Sequence, residues 1–299
     1  MQERGVSERR GCALAICPRP TVQYKTRKRS DEELISQLQS LAADDKSRAH
    51  GYRKYAWLIR RDFKVVVNHK RVYRVYATLN LALPKDKGKH VPAVRQGCPP
   101  PVFAINERWS VDFVKDRLVR GRQYRVFDVV EDYSCECMAI KADFSLPSVR
   151  VIEVFDRLVR ERGLPRVIRF DNGPEFRSFN MERWAKERGI KLHFIDPGKP
   201  MQNGKIESFH GRLRAEFLNH RLFHSREEVQ DAAEDYRYTY NHYRPHQTLK
   251  YETPARFAGE HSLLSQLAKT LDRQRRLSTE STDPNATETT NTTPHLSMA

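Results

Sequence analysis

The sequence predicts an α/β domain with a mixed five-stranded sheet and flanking helices, preceded by a small all-helical unit. From residue 102 onward, strand-like and helix-like segments follow one another in the order β-β-β-α-β-α-β-α-α. Three successive strands with short connections predict an antiparallel meander, and strands separated by helices predict parallel neighbours. Before residue 84, the apolar residues recur only at helical spacing.

The helical unit is predicted to be a helix-turn-helix of three helices. Ser30 and Glu33 form a capping-box pattern, which predicts that the first helix begins with Ser30 as its N-cap. A second helix is expected over 52–61, and Asn68 is expected to cap a third. Three basic side chains lie on the outside of that third helix and are candidate DNA contacts: Lys70, Arg71 and Arg74. The alternative is a three-helix bundle whose basic residues are only solvated.

The first strand of the α/β domain alternates so that Ser110, Asp112 and Val114 share one face of the sheet. Glycines at 163 and 189 are expected to end two of the helices. The predicted strands cover 109–114, 124–130, 135–142, 166–170 and 191–195, and the predicted helices cover 148–162, 175–188, 202–219 and 225–242.

Five regions are expected along the chain. Residues 1–30 form a flexible basic segment, 31–83 form the helix-turn-helix-like domain, and 84–101 form a linker rich in Pro and Lys. The α/β catalytic core covers 102–259. Residues 260–299 are expected to be largely disordered, because they are rich in Ser, Thr, Asn and Pro and contain few apolar anchors.

The positive charge is concentrated in the first third of the chain. The net charge is +16, and residues 1–100 contain 22 Lys and Arg but only 9 Asp and Glu. Such an excess predicts a surface for polyanions, and nucleic acid is the favoured partner. The alternative is a basic surface that is merely solvated.

Several classes of protein are excluded by composition. No run of about 18 apolar residues is present, so no membrane-spanning helix is expected. The basic N-terminus lacks the apolar region of a secretory signal. Five cysteines without repeating pair spacing favour a reducing, cytoplasmic setting, and no Cys/His cluster has the spacing of a structural zinc site.

Three acidic residues in distinctive contexts are the candidate catalytic site. Asp112 lies in WSVDFV, Asp171 opens DNGPEF, and Glu207 follows 35 residues later in QNGKIESF. Each alone has an ordinary explanation, as a strand, turn or solvated helix residue. Together they are expected at the sheet centre, at the end of the neighbouring strand and on the following helix, so we expect them to converge.

Converging carboxylates are suited to Mg²⁺, and two such ions can drive phosphodiester cleavage and strand joining. We expect Asp112 to bridge two Mg²⁺ ions, with Mn²⁺ as a substitute, while Asp171 and Glu207 each complete the shell of one ion. A lone His210 nearby is interpreted as a hydrogen-bonding residue rather than a ligand. The acids at 128, 131 and 132 are interpreted as ordinary turn residues outside the triad.

Basic residues around Glu207 are candidate DNA contacts. Arg214 follows it by seven residues and therefore shares its helix face, where it is expected to hold a DNA phosphate. The alternative for Arg214 is a salt bridge on the helix. Lys199 and Lys205 are weaker phosphate candidates that are alternatively just solvated.

These motifs resemble those of the second-frame (OrfB) transposases of the insertion-sequence-three family, within the retroviral-integrase-like superfamily. The resemblance covers about residues 30–258. It includes the three acidic motifs, the basic residue seven after the glutamate, and the segment YNHYRPH near residue 240 followed by Thr253-Pro254. It implies an RNase H-like catalytic core preceded by a helix-turn-helix segment.

The expected function is that of an insertion-sequence transposase. It would bind the terminal inverted repeats of its element, cleave there and join the ends to target DNA, as a homo-oligomer on DNA in the cytoplasm at the nucleoid. The resemblance further implies a possible fusion to an upstream-frame product. The alternatives are a non-catalytic DNA-binding regulator and an RNase H-like nuclease acting on RNA–DNA hybrids.

Overall fold

The computed structural model describes residues 6–24, 30–82, 99–173 and 175–262. The helices are α1 Glu8–Leu14, α2 Arg19–Gln23, α3 Glu32–Ala43, α4 Tyr52–Asp62, α5 His69–Thr78, α6 Ser148–Arg162, α7 Phe179–Glu187, α8 Gly204–Glu216 and α9 Arg226–His242. The strands are β1 Arg108–Arg117, β2 Gln123–Glu131, β3 Cys137–Asp143, β4 Val167–Phe170 and β5 Lys191–Phe194. The predicted order of elements after the linker is therefore confirmed.

The five strands form one mixed sheet in the order β3-β2-β1-β4-β5. β1 pairs antiparallel with β2, which pairs antiparallel with β3. On its other side β1 pairs parallel with β4, which pairs parallel with β5. β1 is therefore the central strand, and the predicted RNase H-like arrangement of a meander joined to parallel strands is confirmed.

The alternation of β1 divides the core between the two faces of the sheet. Trp109 and Val111 pack with α6 and α7 on one face. Val114 packs with α8 and α9 on the other face, through residues such as Phe209 and Tyr240. Because successive side chains of a strand point to opposite faces, Asp112 lies on the same side as Val114.

The N-terminal helices α3, α4 and α5 enclose a separate small core that includes Leu38, Leu58 and Val72. Asn68 caps α5 as predicted, because its side chain accepts a hydrogen bond of 2.9 Å from the backbone NH of Lys70. The predicted N-cap of α3 was wrong by one residue: Asp31 occupies that position.

Other boundaries differ from the predictions by a few residues. α7 begins at Phe179 rather than at 175, because the Ser178 side chain accepts a hydrogen bond from the NH of Met181 and fixes the start there. The helix expected over 202–219 is divided into a 3-10 turn at Pro200–Asn203, α8, and a 3-10 turn at Leu218–His220.

The expected linker and tail fall mostly outside the described residues, which exclude 83–98 and 263–299. Within the segment 1–30, the structure contains α1 and α2. Residues 254–262 are helical. No helix in the described part of the chain is long and apolar enough to cross a membrane.

Candidate active site

Asp112 lies midway along the central strand, directly opposite Asp128 on β2. Its Oδ1 accepts a hydrogen bond of 2.7 Å from the backbone NH of Phe113. Burial raises the pKa of Asp112, and the negative charge of Asp171 adds to that effect, while His210 opposes it. The sequence therefore placed this carboxylate correctly, on a half-buried position at the sheet centre.

Asp171 directly follows Phe170, the last residue of β4. Its Oδ1 accepts a hydrogen bond of 3.0 Å from the NH of Gly173, which closes the predicted Asp-Asn-Gly turn. A Cβ at position 173 would stand 3.0 Å from that oxygen and 3.1 Å from Oε2 of Glu175, so a larger residue there would push both carboxylates away by a few tenths of an ångström. Asn172 donates to the carbonyl of Ile195 at 2.8 Å, which ties the turn to the end of β5.

Glu207 lies in the first turn of α8 and is exposed. The opposite side of this helix is fixed because Ile206, Phe209 and Leu213 are buried against the sheet. Although the side chain is largely exposed, its partial desolvation raises the pKa of Glu207, and the charge of Asp112 adds to that effect. The predicted apolar stripe of α8 is confirmed by this packing.

Asp112 lies within electrostatic reach of each of the other two acids. The negative charge of Asp112 raises the pKa of Glu207, and the negative charge of Asp171 raises the pKa of Asp112. Within the described residues, no three His, Cys, Asp or Glu side chains form a closed ligand set for a metal ion. The donors fit Mg²⁺ chemically, since all three offer carboxylate oxygens.

Asp128 is a site residue that the sequence interpretation missed. It is 0% exposed in the middle of β2, and burial is the main cause that raises its pKa to about 6. His210 stands between the two strands: its Nε2 is 3.1 Å from Oδ2 of Asp128, and its Nδ1 is 3.6 Å from Oδ2 of Asp112. The 3.1 Å contact lacks hydrogen-bond geometry, so we regard it as an electrostatic contact.

The three acids left outside the triad lie on or directly after β2, as predicted, but all of them are buried, which the sequence did not indicate: Asp128, Glu131 and Asp132. Asp132 forms an ion pair with Arg108, and Glu131 accepts hydrogen bonds from the NH and hydroxyl of Ser134. The available signal for Asp128 was its strand parity, which it shares with the inward-facing Val126 and Val130.

The basic candidates near Glu207 are differently engaged. Arg214 donates from Nη2 to the backbone carbonyl of Lys115 at 3.1 Å, and no ion pair to it is present in the described residues. The salt-bridge alternative is therefore not seen. The ammonium of Lys205 lies 3.5 Å from Sγ of Cys135, and Lys199 is held in an exposed ion pair.

On α5, Arg71 and Arg74 both form ion pairs with Asp31, at 2.8 Å and 2.6 Å. These bonds tie α5 to the start of α3, so both guanidiniums have a structural role. Lys70 is exposed, and its ammonium has no partner among residues 6–24, 30–82, 99–173 and 175–262.

Models of the integrase core domain match residues 104–200 and 188–254 of the chain. An uncharacterized 31.7 kDa protein of insertion element IS407 from Burkholderia multivorans is 35% identical, over 86% of this chain and 92% of that protein. An uncharacterized 39.2 kDa protein of insertion element IS476 from Xanthomonas euvesicatoria is 34% identical, over 87% and 75%. The HTLV-2 integrase catalytic core in complex with magnesium aligns at 18% identity and a TM-score of 0.42, over 52% of this chain and 97% of that one.

The sheet order and the matched domain define an integrase-type core, the fold of DNA strand-transfer enzymes. The chain belongs to the insertion-element transposases with an integrase core, in the insertion-sequence-three group, as its motifs predicted. It is therefore a DDE-type transposase, an enzyme whose family depends on divalent metal ions.

Proposed function

We propose that Asp112, Asp171 and Glu207 are the catalytic residues with which this transposase cuts DNA at the ends of its element and joins them to another strand. One observation carries this assignment. Asp112 lies on the central strand, Asp171 follows the end of the neighbouring strand β4, and Glu207 begins α8, which packs on the face of the sheet that carries Asp112. In agreement with this placement, the charge of Asp171 raises the pKa of Asp112, and the charge of Asp112 raises the pKa of Glu207.

The three residues hold two Mg²⁺ ions, or Mn²⁺ in their place. When bound, such a pair supplies activation of the attacking oxygen and stabilisation of the leaving oxygen. Asp112 would contact both ions, and Asp171 and Glu207 would each contact one. Burial raises the pKa of Asp112, and a bound cation would favour the ionised form of this carboxyl.

The protein's own basic residues hold the DNA. Arg214 is fixed by Lys115 beside Glu207, and the remaining guanidinium NH groups bind a phosphate near the carboxylates. Lys205 and Lys199 contribute weaker phosphate contacts. Lys70 on α5 contacts the terminal inverted repeat, whereas Arg71 and Arg74 reach DNA only if their bonds with Asp31 are exchanged.

Joining two ends at once requires two copies of the active site, so the transposase acts as a homo-oligomer on double-stranded DNA, in the cytoplasm at the nucleoid.

The test is Mg²⁺-dependent cleavage of a duplex that carries the element's terminal repeat. Asp112→Asn, Asp171→Asn and Glu207→Gln are each expected to abolish cleavage and to leave DNA binding within about twofold, since no positive charge is lost. Asp116→Asn, the same change on the same strand, is the matched control and should cleave normally.

Near-normal cleavage by any one of the three variants would remove that residue from the assignment. Preferential cutting of an RNA–DNA hybrid by the unmodified protein would contradict the transposase assignment of the site and favour a nuclease. DNA binding with no cleavage under any divalent ion would favour a non-catalytic regulator.

A further inference from the structure

A cavity of about 490 Å³ opens against the beginnings of β1, β4 and β5. We call it the basic pocket, after the basic and polar part of its lining: Arg108, Arg166, Arg169, Lys191, His193 and Gln202. Four of these side chains carry positive charge. Prolines 99–101 and two valines, at 102 and 167, form its apolar wall. One carboxylate in the lining, Glu107, is already occupied, because it accepts a hydrogen bond of 2.7 Å from the NH of Phe103.

The wall of the basic pocket contains a buried positive charge that is only partly balanced. Arg169 is 2% exposed, and its Nε and Nη1 have no hydrogen-bond partner in the described chain. Its nearest anion is Asp132, 3.7 Å away. Asp132 already accepts hydrogen bonds from the guanidinium of Arg108 and from the hydroxyl of Ser110. Two buried guanidiniums therefore share one carboxylate, an arrangement that a further anion would stabilise.

The rim of the basic pocket adds donors for an anion. Arg166 and Lys191 are exposed, and their side chains have no partner in the parts of the chain that the structure describes. Burial lowers the pKa of His193, and the charge of Arg169 lowers it further, so this imidazole is neutral at pH 7. Its Nδ1 is buried without a partner. Guanidinium and imidazole groups arranged in this way are suited to a phosphate.

The basic pocket and the carboxylates lie on the same face of the sheet. Arg169 lies in β4, and Asp171 follows it by two residues, or about 7 Å of extended chain, directly after the end of the strand. Ser110, which pairs with Arg169 across the strands, stands in the same relation to Asp112. Gln202 lines the pocket and precedes Glu207 by five residues. A strand that occupies the active site therefore brings its neighbouring phosphates within reach of the pocket.

We propose that the basic pocket binds a backbone phosphate of the DNA strand whose reacting phosphodiester lies at Asp112, Asp171 and Glu207. This inference rests on the proposed function, because it takes that strand to be DNA held at the three acids. The pocket positions the strand along β4, and the buried pair of guanidiniums is neutralised only when DNA is bound.

The test compares two double variants that each remove two exposed positive charges. Arg166→Ala/Lys191→Ala removes the rim, and Arg157→Ala/Lys186→Ala removes unpaired charges on α6 and α7, which cover the opposite face. The dissociation constant for a fluorescent duplex with the element's end is measured by anisotropy between 50 and 200 mM salt. Loss of one phosphate contact reduces the slope of log affinity against log salt concentration by about 0.9. Between 50 and 200 mM salt, the control variant should therefore lose about 3-fold more affinity than the rim variant.

A rim variant whose salt slope equals that of the control would overturn the proposal. The melting temperature of the unmodified protein with and without inorganic phosphate tests whether the pocket binds a free anion instead. If phosphate raises the melting temperature while the salt slopes of the two variants are equal, the pocket is a small-anion site and the proposal is wrong. Binding is measured without divalent ions, so it does not depend on catalysis. Normal cleavage by Asp112→Asn would contradict the proposed function. A reduced salt slope of the rim variant would still show that the pocket contacts DNA.

Discussion

The ion pair between Glu216 and Arg244 joins the end of α8 to the chain beyond α9. The guanidinium of Arg244 donates from Nε to Oε2 at 2.7 Å and from Nη2 to Oε1 at 2.6 Å. Lys54 of the N-terminal bundle stands 3.8 Å from the same carboxylate. The side chains of Glu216 and Arg244 are only 14% and 6% exposed, so the pair is nearly removed from water.

Glu216→Gln keeps the size of the side chain and removes its charge, which leaves the buried guanidinium of Arg244 without its counter-charge. Lys54 is only partly buried, and burial lowers its pKa to about 7, so it can lose its proton when the carboxylate is gone. Breaking a buried pair in this way costs about 3–5 kcal/mol. At about 2–4 °C per kcal/mol for a domain of this size, the melting temperature falls by about 6–20 °C. The matched control is Glu234→Gln, whose ion pair with Arg237 is 38% exposed on the glutamate side and is worth at most about 1 kcal/mol.

Urea unfolding at pH 7, followed by tryptophan fluorescence, measures both variants. Burial opposes ionisation of Glu216, but the charge and hydrogen bonds of Arg244 outweigh it and lower the pKa of this carboxyl. A group with a lowered folded-state pKa stabilises the fold above its unfolded pKa of about 4.3, and that stabilisation is lost as pH falls through the folded pKa. The difference between Glu216→Gln and the unmodified protein should therefore shrink below about pH 4. A cost no greater than that of Glu234→Gln at pH 7 would refute the reasoning.

Three further outcomes are expected. Burial raises the pKa of Glu131 to about 7, so ionisation of this carboxyl destabilises the fold increasingly as pH rises from about 4.3 to 7. In urea unfolding, Glu131→Gln should therefore stabilise the protein by about 3 kcal/mol at pH 8 and have no such effect at pH 4. Gly173→Ala should slow cleavage by about 3- to 10-fold, with unchanged DNA binding by anisotropy, because the new Cβ displaces the carboxylate of Asp171 by a few tenths of an ångström. Asp132→Asn should destabilise the fold by about 3–5 kcal/mol in thermal unfolding, since Arg108 and Arg169 lose their shared counter-charge.

The order of helices and strands was predictable because the spacing of apolar residues along each segment indicates its type. α6 shows this most clearly: both predicted ends, Ser148 and Arg162, are observed. Pro147 precedes the helix, and Gly163 follows it with a φ of 88°, a conformation that favours glycine. Acids in sequence contexts as distinctive as those of Asp112 and Asp171 were likewise identifiable before any contact was known.

Contacts between distant segments could not be predicted, because they depend on strand register and helix docking. The pairing of Asp112 with Asp128 follows from the register of β1 and β2, which cannot be read from the sequence. The contacts of His210 with both acids require α8 to dock at one height along those strands. The basic pocket likewise exists only because parallel pairing sets Arg169 beside His193.

The most direct test of the central claim is to count Mn²⁺ ions bound by the full-length protein, by equilibrium dialysis with a DNA end present. We expect two ions per chain in the unmodified protein. Asp112→Asn should lose both ions, whereas Asp171→Asn and Glu207→Gln should each retain one, because only Asp112 is proposed to contact both ions. Unchanged occupancy of two ions in the Asp112→Asn protein would contradict the proposed role of Asp112.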